Sequence, residues 1–333
     1  MYKVAIIGAG VWANNHMTGW RAREDAQVVS VVRSSEERAK QTARRWGVPE
    51  WSGDYRTVIA RPDIDIVDIC LPHDMHAAVA CEALEAGKHV VLEKPVAATL
   101  EEARRLAETA RRTGRKVMVS ENWIYAWVVQ KAKAAITGGE IGDAYLVRST
   151  MDMDVRPSFQ GLGWRHDPAK MGGGALLDGH IHSISAARYL MGEITEVSAV
   201  VKNYHFGGIA PLEDTSVLLC KFASGATGTL VCSWTAQRHR PHTEFTILGT
   251  RGTLEFDTHE RYFLTTRGTK RSEEVNLAAS RGFVEQIAHF MECVTKGTDP
   301  ITTPDEQIGS LQVVMAAYRA AESGRFEKVG AAG

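Results

Sequence analysis

The stretch Val4-Ala5-Ile6-Ile7-Gly8-Ala9-Gly10-Val11-Trp12-Ala13 decides how the rest of this chain is read. Four apolar residues run without alternation into a glycine-bounded turn, and an amphipathic stretch, Trp12–Arg23, follows. The turn fits G-x-G-x-x-G/A at a strand-to-helix junction. There small residues let the backbone approach a pyrophosphate, whose charge the helix N-terminus then holds. Alone the hexapeptide is a weak signal, because a tight turn with no ligand has the same sequence.

Working outward, the setting strengthens it. The runs Lys3–Ile7, Gln27–Val32, Ile66–Leu71, His89–Leu92 and Lys116–Ser120 alternate with the helical patterns Trp12–Arg23, Glu36–Trp46, Met75–Ala86 and Leu100–Thr113. This alternation predicts a Rossmann-type, doubly wound parallel sheet covered by helices on both faces. Thr99 and Glu102 have the spacing of a capping box. A second regime starts near Asn122, with a helix over Val128–Thr137, a Gly/Pro-rich region and a further helix over Gly174–Leu190. Strand candidates then follow at Glu196–Tyr204, Asp214–Phe222, Ala226–Ala236, Glu244–Leu248, Gly252–Phe256 and Arg261–Thr266, before closing helices over Ser280–Thr295 and Thr303–Ser323. Turns such as Ser224-Gly225 between the strands predict a large, mostly antiparallel open sheet. The expected plan is α/β followed by α+β, with a dinucleotide-binding domain at 1–122 and a substrate-binding, oligomerising domain at 123–333.

Composition excludes several classes. The 333 residues carry 39 basic and 40 acidic side chains, a formal net charge of −1, and no basic stripe of the kind a nucleic-acid partner leaves. The arginines between Arg104 and Arg115 are interleaved with apolar residues at helical spacing and read as a solvated helix face. No run approaches the ~18 apolar residues of a membrane span. Cys70, Cys81, Cys220, Cys232 and Cys293 are widely spaced with no CxxC pair, which points to a reduced, cytoplasmic protein whose cysteines are small core residues.

The second strand ends Val31-Val32-Arg33-Ser34-Ser35. An acidic residue there binds the ribose 2′-hydroxyl of NAD, whereas an arginine accommodates the 2′-phosphate of NADP. Arg33 and the serines therefore favour NADP(H), with Glu36 one turn later keeping NAD(H) as the alternative.

Three further segments carry chemistry. Ala86-Gly87-Lys88-His89-Val90-Val91-Leu92 delivers Glu93-Lys94-Pro95 to the carboxyl end of a strand, where ligands of open α/β sheets sit. Trp164-Arg165-His166-Asp167-Pro168-Ala169-Lys170-Met171-Gly172-Gly173-Gly174 is a polar, glycine-rich loop, and Leu177-Asp178-Gly179-His180-Ile181-His182 follows it. On an α-helix Asp178 and His182 share a face while His180 points elsewhere, which argues against a metal chelate.

Taken in order, these segments resemble the Gfo/Idh/MocA family of sugar and polyol oxidoreductases. The matching features are Gly8–Ala13, Leu71-Pro72-His73-Asp74-Met75-His76, Ala86–Val90 running into Glu93-Lys94-Pro95, Gly138-Gly139-Glu140-Ile141-Gly142, Trp164–Gly174, and Asp178-x-x-x-His182. The resemblance implies a Rossmann domain, a second domain on a large open sheet, and hydride transfer between nicotinamide and a carbohydrate carbon. It implies a homodimer or homotetramer associated partly through that sheet, and a catalytic group of Lys94, Asp178 and His182. The chain departs from the family pattern at His73, often Asn, and at His180, often apolar or Gly; two extra imidazoles could adjust substrate choice.

The cofactor is then expected to meet Gly8, Gly10, Val11, Trp12, Ala13, Arg33, Ser34, Leu71, Pro72, His73, His76, Glu93, Lys94, Pro95, Asn122, Trp164 and Arg165. Substrate is expected at Lys94, Trp123, Tyr125, Arg156, Trp164, Asp178 and His182, with Arg165 and His180 as further candidates, since aromatic faces pack on a sugar ring and Arg or Asn serves its hydroxyls. His182 would take the proton from a hydroxyl, its ordinary pKa being near operating pH. Asp178 would orient substrate hydroxyls or stabilise protonated His182, and Lys94 would hold the reacting oxygen. Two other classes compete: a lyase or hydrolase in which NAD is recycled through transient oxidation of a sugar, and a non-catalytic NADP sensor. Retention of Lys94, Asp178 and His182 together speaks against the sensor.

Overall fold

Strand β1 (Tyr2–Ile7) has no exposed face: Val4, Ala5 and Ile6 are fully buried, which is why its sequence runs apolar without alternating. The computed structural model describes residues 1–159, 163–237, 243–257, 261–266, 268–274 and 281–330. Around β1 lie β2 (Ala26–Val32), β3 (Glu50–Ser52), β4 (Ile66–Ile69), β5 (His89–Glu93) and β6 (Val117–Ser120), all parallel, in the order β3-β2-β1-β4-β5-β6. The connecting helices are α1 (Ala13–Arg21), α2 (Glu36–Trp46), α3 (Tyr55–Ile59), α4 (His76–Glu85) and α5 (Leu100–Thr113). Sequence order reverses between β1 and β4, and in such sheets ligands bind at the carboxyl ends beside that reversal. The capping box forms as expected: Thr99 Oγ1 accepts the Glu102 N–H at 3.2 Å, and Glu102 Oε2 accepts the Thr99 N–H at 3.1 Å.

After α6 (Asn122–Tyr125) and α7 (Trp127–Thr137) comes β7 (Ala144–Asp152), a strand that the sequence reading passed over as irregular. It lies inside a nine-stranded sheet of order β14-β13-β12-β11-β7-β10-β9-β8-β15, hydrogen-bonded to β11 (Phe245–Gly249) and to β10 (Thr227–Ser233). The β7–β10 pair is parallel and every other named pair in this sheet is antiparallel. The remaining strands are β8 (Ile194–Lys202), β9 (Thr215–Phe222), β12 (Gly252–Phe256), β13 (Arg261–Thr266), β14 (Thr269–Glu274) and β15 (Glu327–Lys328). Short helices α8 (Arg156–Phe159) and α9 (Pro168–Met171) precede α10 (Ile181–Met191), and α11 (Phe283–Lys296) and α12 (Pro304–Ser323) close the chain. Ser280, the expected start of α11, lies outside the described residues.

The helix expected over Gly174–Leu190 is not one continuous α-helix. Ala175–Gly179 is a π-helical turn in which the His180 N–H donates to the Ala175 carbonyl, five residues back, at 2.7 Å. Because Asp178 lies within this turn, it and His182 do not share a regular α-helical i, i+4 face, and their neighbours are set by the contacts each makes. Glu213 fixes the turn by accepting the Gly174 and Leu176 N–H groups, at 2.9 and 3.1 Å, and the Tyr318 hydroxyl at 2.7 Å.

By packing, the chain forms two units. One comprises Met1–Glu121 with Phe283–Ile308, where α11 joins the parallel sheet's helices through an edge contact of Phe290 with Trp20. The other comprises the described residues of Asn122–Gly282 and those from Gly309 onward. Among the described residues no helix is long and apolar enough to cross a membrane.

Candidate active site

In the first unit, the residues singled out from sequence gather at the carboxyl ends of four neighbouring strands. Gly8–Ala13 follows β1, Arg33 and Ser34 follow β2, Leu71–His76 follows β4, and Glu93-Lys94-Pro95 ends β5. Gly8 has φ +88°, and a Cβ there would stand 2.3 Å from the Cys70 carbonyl oxygen, so its role is set inside the protein. Gly10 differs. A Cβ on it would meet only the Gly8 carbonyl oxygen, 3.7 Å away, among the described residues. A side chain there would meet no close neighbour among the described residues. Helix α1 begins with no side-chain cap, Val11 and Trp12 are 69% and 47% exposed, and Ala13 is buried for close packing. An uncapped helix start beside an open glycine fits the diphosphate of a dinucleotide.

Arg33 lies along α2, where its Nη1 donates to Thr42 Oγ1 at 3.2 Å. Burial, then Arg38 and Arg45, lower its pKa, so three guanidiniums share this corner. Ser34 is exposed, while Ser35 caps α2. After β4, Leu71 and Pro72 are half-buried and His73 and His76 are buried. The His76 ring, expected to face the cofactor, is instead used internally, with Nδ1 2.7 Å from the Pro95 carbonyl and Nε2 2.9 Å from the Leu71 carbonyl. Burial and neighbouring His73 push its pKa down to about 4, so a neutral ring donates to one carbonyl at a time and ties the two turns together.

Glu93 and Lys94 are also buried, and Glu93 Oε2 accepts the Lys94 backbone N–H at 2.6 Å. Beneath them lies a cluster that the sequence reading missed. Asp68 accepts the Trp20 indole N–H at 2.6 Å and lies 2.8 Å from His16 Nδ1, with the Cys70 thiol 3.7 Å away. His16, Asp68 and Cys70 offer donor atoms within 4.8 Å of one another, but Asp68 is already engaged in hydrogen bonds and burial pushes the Cys70 thiol up to about 12. The cluster reads as a hydrogen-bonded core rather than as lone pairs converging on an ion.

The second unit holds another constellation. Asp178, on the π-helical turn, forms a buried ion pair with Arg165, whose guanidinium lies over the Trp164 and Phe159 rings at 4.9 and 5.5 Å. The His182 imidazole stacks on Trp123, centroids 5.1 Å apart at 17°. Trp123 is only 6% exposed and meets Phe245 edge-on, so the face expected to receive a sugar is occupied by the imidazole. Tyr125 is likewise buried, Asn122 donates to the Arg281 carbonyl at 2.7 Å, and Arg156 pairs with Asp154 at 2.7 Å. His180 is fully buried with Nδ1 2.7 Å from Ser216 Oγ, and burial pushes its pKa down to about 3, so it is neutral core. The Asp178-x-x-x-His182 spacing and the Trp164-Arg165 loop were the sequence signals for these placements, whereas the stacking of Trp123 on His182 joins residues far apart in the chain.

Comparison with known proteins agrees with this architecture. The profile of the GFO/IDH/MocA oxidoreductase family with an NAD-binding Rossmann fold matches residues 2–121, and that of the GFO/IDH/MocA C-terminal domain matches residues 129–255. Levoglucosan dehydrogenase of Pseudarthrobacter phenanthrenivorans is 31% identical over 289 residues, 78% of this chain and 74% of the relative. The scyllo-inositol 2-dehydrogenase (NAD(+)) of Bacillus subtilis is 30% identical over 313 residues, 90% of this chain and 87% of the relative. The solved structure of levoglucosan dehydrogenase in complex with NADH and levoglucosan superposes with a TM-score of 0.91 at 25% identity, covering 99% of both chains. With both family domains matched in order on a parallel sheet and a mostly antiparallel one, this chain belongs to the GFO/IDH/MocA family of NAD-binding oxidoreductases.

Proposed function

We propose that this protein is an NAD(P)-dependent dehydrogenase or reductase that interconverts a ring hydroxyl and a ketone on a sugar, sugar derivative or polyol. The observation that carries this reading is the buried set in the second unit: an imidazole held flat on an indole, four residues from a carboxylate held by a guanidinium. The nicotinamide cofactor, when bound, accepts or supplies the hydride. His182 takes the hydroxyl proton in oxidation and returns it in reduction. The Trp123 face keeps the ring in place. Arg165 orients Asp178 so that one carboxylate oxygen serves substrate hydroxyls. Lys94 donates to the reacting oxygen and stabilises charge developing there. The names of the relatives, dehydrogenases of levoglucosan and scyllo-inositol, support a hydroxylated ring as substrate.

NADP(H) is the proposed preference, on the strength of Arg33 with Arg38 and Arg45 at the end of β2. Titration should give a lower Kd for NADPH than for NADH, and equal or tighter NADH binding overturns that preference. We further propose a homodimer or homotetramer, supported by the partly apolar exposed face of the nine-stranded sheet, where Val200, Val217 and Leu219 are exposed on adjacent strands. Light scattering coupled to gel filtration checks it, with a monomer as the contrary result.

The reaction is tested by presenting monosaccharides, anhydrosugars, inositols and their keto forms with either nicotinamide. The expected result is reduced cofactor in proportion to oxidised product. Conversion of substrate without net reduction or oxidation of the cofactor overturns the reading.

A further inference from the structure

Helix α1 starts at the proposed cofactor turn and β5 ends at Glu93, directly before Lys94, and three buried ionisable side chains bridge them. His16 stands on α1, Asp68 on β4 and Glu93 at the end of β5. The Asp68 oxygens are 2.8 and 3.0 Å from His16 Nδ1. His16 Nε2 is 3.5 Å from Glu93 Oε1, and the other Glu93 oxygen accepts the Lys94 N–H. Burial, the largest single influence, disfavours charge on His16, yet Asp68 and Cys70 together outweigh it and hold the imidazole well above its ordinary range. A doubly protonated ring donates to Asp68 and turns its second N–H towards Glu93 at ion-pair distance, 3.5 Å.

We propose that Asp68, His16 and Glu93 are positioning residues for Lys94: Asp68 pins the His16 ring, the ring fixes the Glu93 carboxylate, and Glu93 fixes the backbone from which Lys94 projects. Apolar side chains of similar volume would fill the same space without desolvating charge. What the charged chain adds is direction at its two ends, where Asp68 is hydrogen-bonded to the His16 ring and Glu93 to the Lys94 N–H, while the middle link, His16 to Glu93, is an ion-pair contact at 3.5 Å in a medium of low dielectric. The inference rests on the role given to Lys94 above.

The test uses variants that preserve shape. Glu93→Gln keeps an oxygen for the Lys94 N–H and removes the charge facing His16. His16→Asn keeps a donor to Asp68 and removes the one facing Glu93. Each should lower kcat about 10- to 100-fold, since a displacement of about 1 Å at a reacting group can cost 10²-fold. KM, the NADH dissociation constant read by fluorescence, and Tm should stay close to those of the parent, and the double variant should be no slower than the slower single one. Nitrogen NMR of the unliganded parent should show both His16 ring nitrogens protonated at neutral pH. If Lys94→Met abolishes turnover while Glu93→Gln stays within twofold of the parent, the positioning chain is overturned and the lysine's role stands. Losses that add in the double variant and follow Tm also overturn it. Normal turnover in Lys94→Met removes the role of Lys94 itself.

Discussion

One buried histidine in each unit is held in the opposite way to the other. In the parallel unit His16 sits between carboxylates and burial fails to discharge it; in the antiparallel unit His180 faces only a serine hydroxyl, and burial drives its pKa to about 3. Both rings are fully buried, so the difference comes from the partner and not from depth. Neither can exchange a proton readily near neutral pH, the first held charged and the second held neutral. His182, stacked on an indole, is the imidazole to which proton transfer is assigned.

The sharpest way to break that contrast is to remove the working ring. His182→Ala should reduce turnover by roughly 10²–10⁴-fold, the usual yield of general acid–base catalysis, with NADH affinity nearly unchanged. Steady-state rates beside fluorescence titration check it, and near-normal turnover would mean the proton moves elsewhere. Next in size is Arg165→Ala, which leaves the Asp178 carboxylate buried without its guanidinium. Loss of one partner of a buried pair costs about 3–5 kcal/mol, and denaturant unfolding should show it. An unchanged midpoint would mean that water or another donor already serves Asp178.

The same contrast explains what could be read from sequence. The parallel unit was legible because its strands hold stretches such as Val4–Ile7 and Val90–Leu92, which are buried on every residue and so appear as plain apolar runs. Its one missed strand, Glu50–Ser52, is a short, largely exposed edge with no pattern to find. The antiparallel unit hid more. In β7, Ser149 breaks the expected alternation, because it occupies a buried position where an apolar residue is normally found. The π-helical turn was invisible for a related reason: one extra residue per turn leaves no mark on composition. At the site, Lys94, Asp178 and His182 were legible as short motifs, but Trp123 under His182, and His16 with Asp68 under Glu93, are contacts between residues far apart in the chain.

Of intermediate size is a pair of glycine variants in the parallel unit. Gly8→Ala puts a methyl group against the Cys70 carbonyl at a positive φ and should cost about 1–3 kcal/mol of stability. Gly10→Ala meets open space and should leave Tm within about 1 °C while weakening dinucleotide binding, read by NADH fluorescence. Were Gly10→Ala to bind as tightly as the parent, the open side of that residue would not be where the diphosphate lies.

The smallest expected effect concerns pH. His180 has its folded pKa below the unfolded value of 6.5, so the unfolded chain takes up the proton first on acidification. Its contribution to stability is therefore present above about pH 6.5 and is lost progressively as pH falls towards 3. His16 has the opposite sign: its folded pKa is raised, so its contribution is full below 6.5 and is lost as pH rises through the folded value. Replacing His180 by Asn, which keeps a polar contact for Ser216 but does not titrate, should flatten the acid limb by up to one proton, about 1.4 kcal/mol per pH unit. His76 and His89, both lowered to about 4, keep the remaining slope of the parallel unit in place. Unfolding free energies measured from pH 7 to pH 4 decide it: an acid limb as steep in His180→Asn as in the parent would show that burial beside Ser216 does not hold this ring neutral.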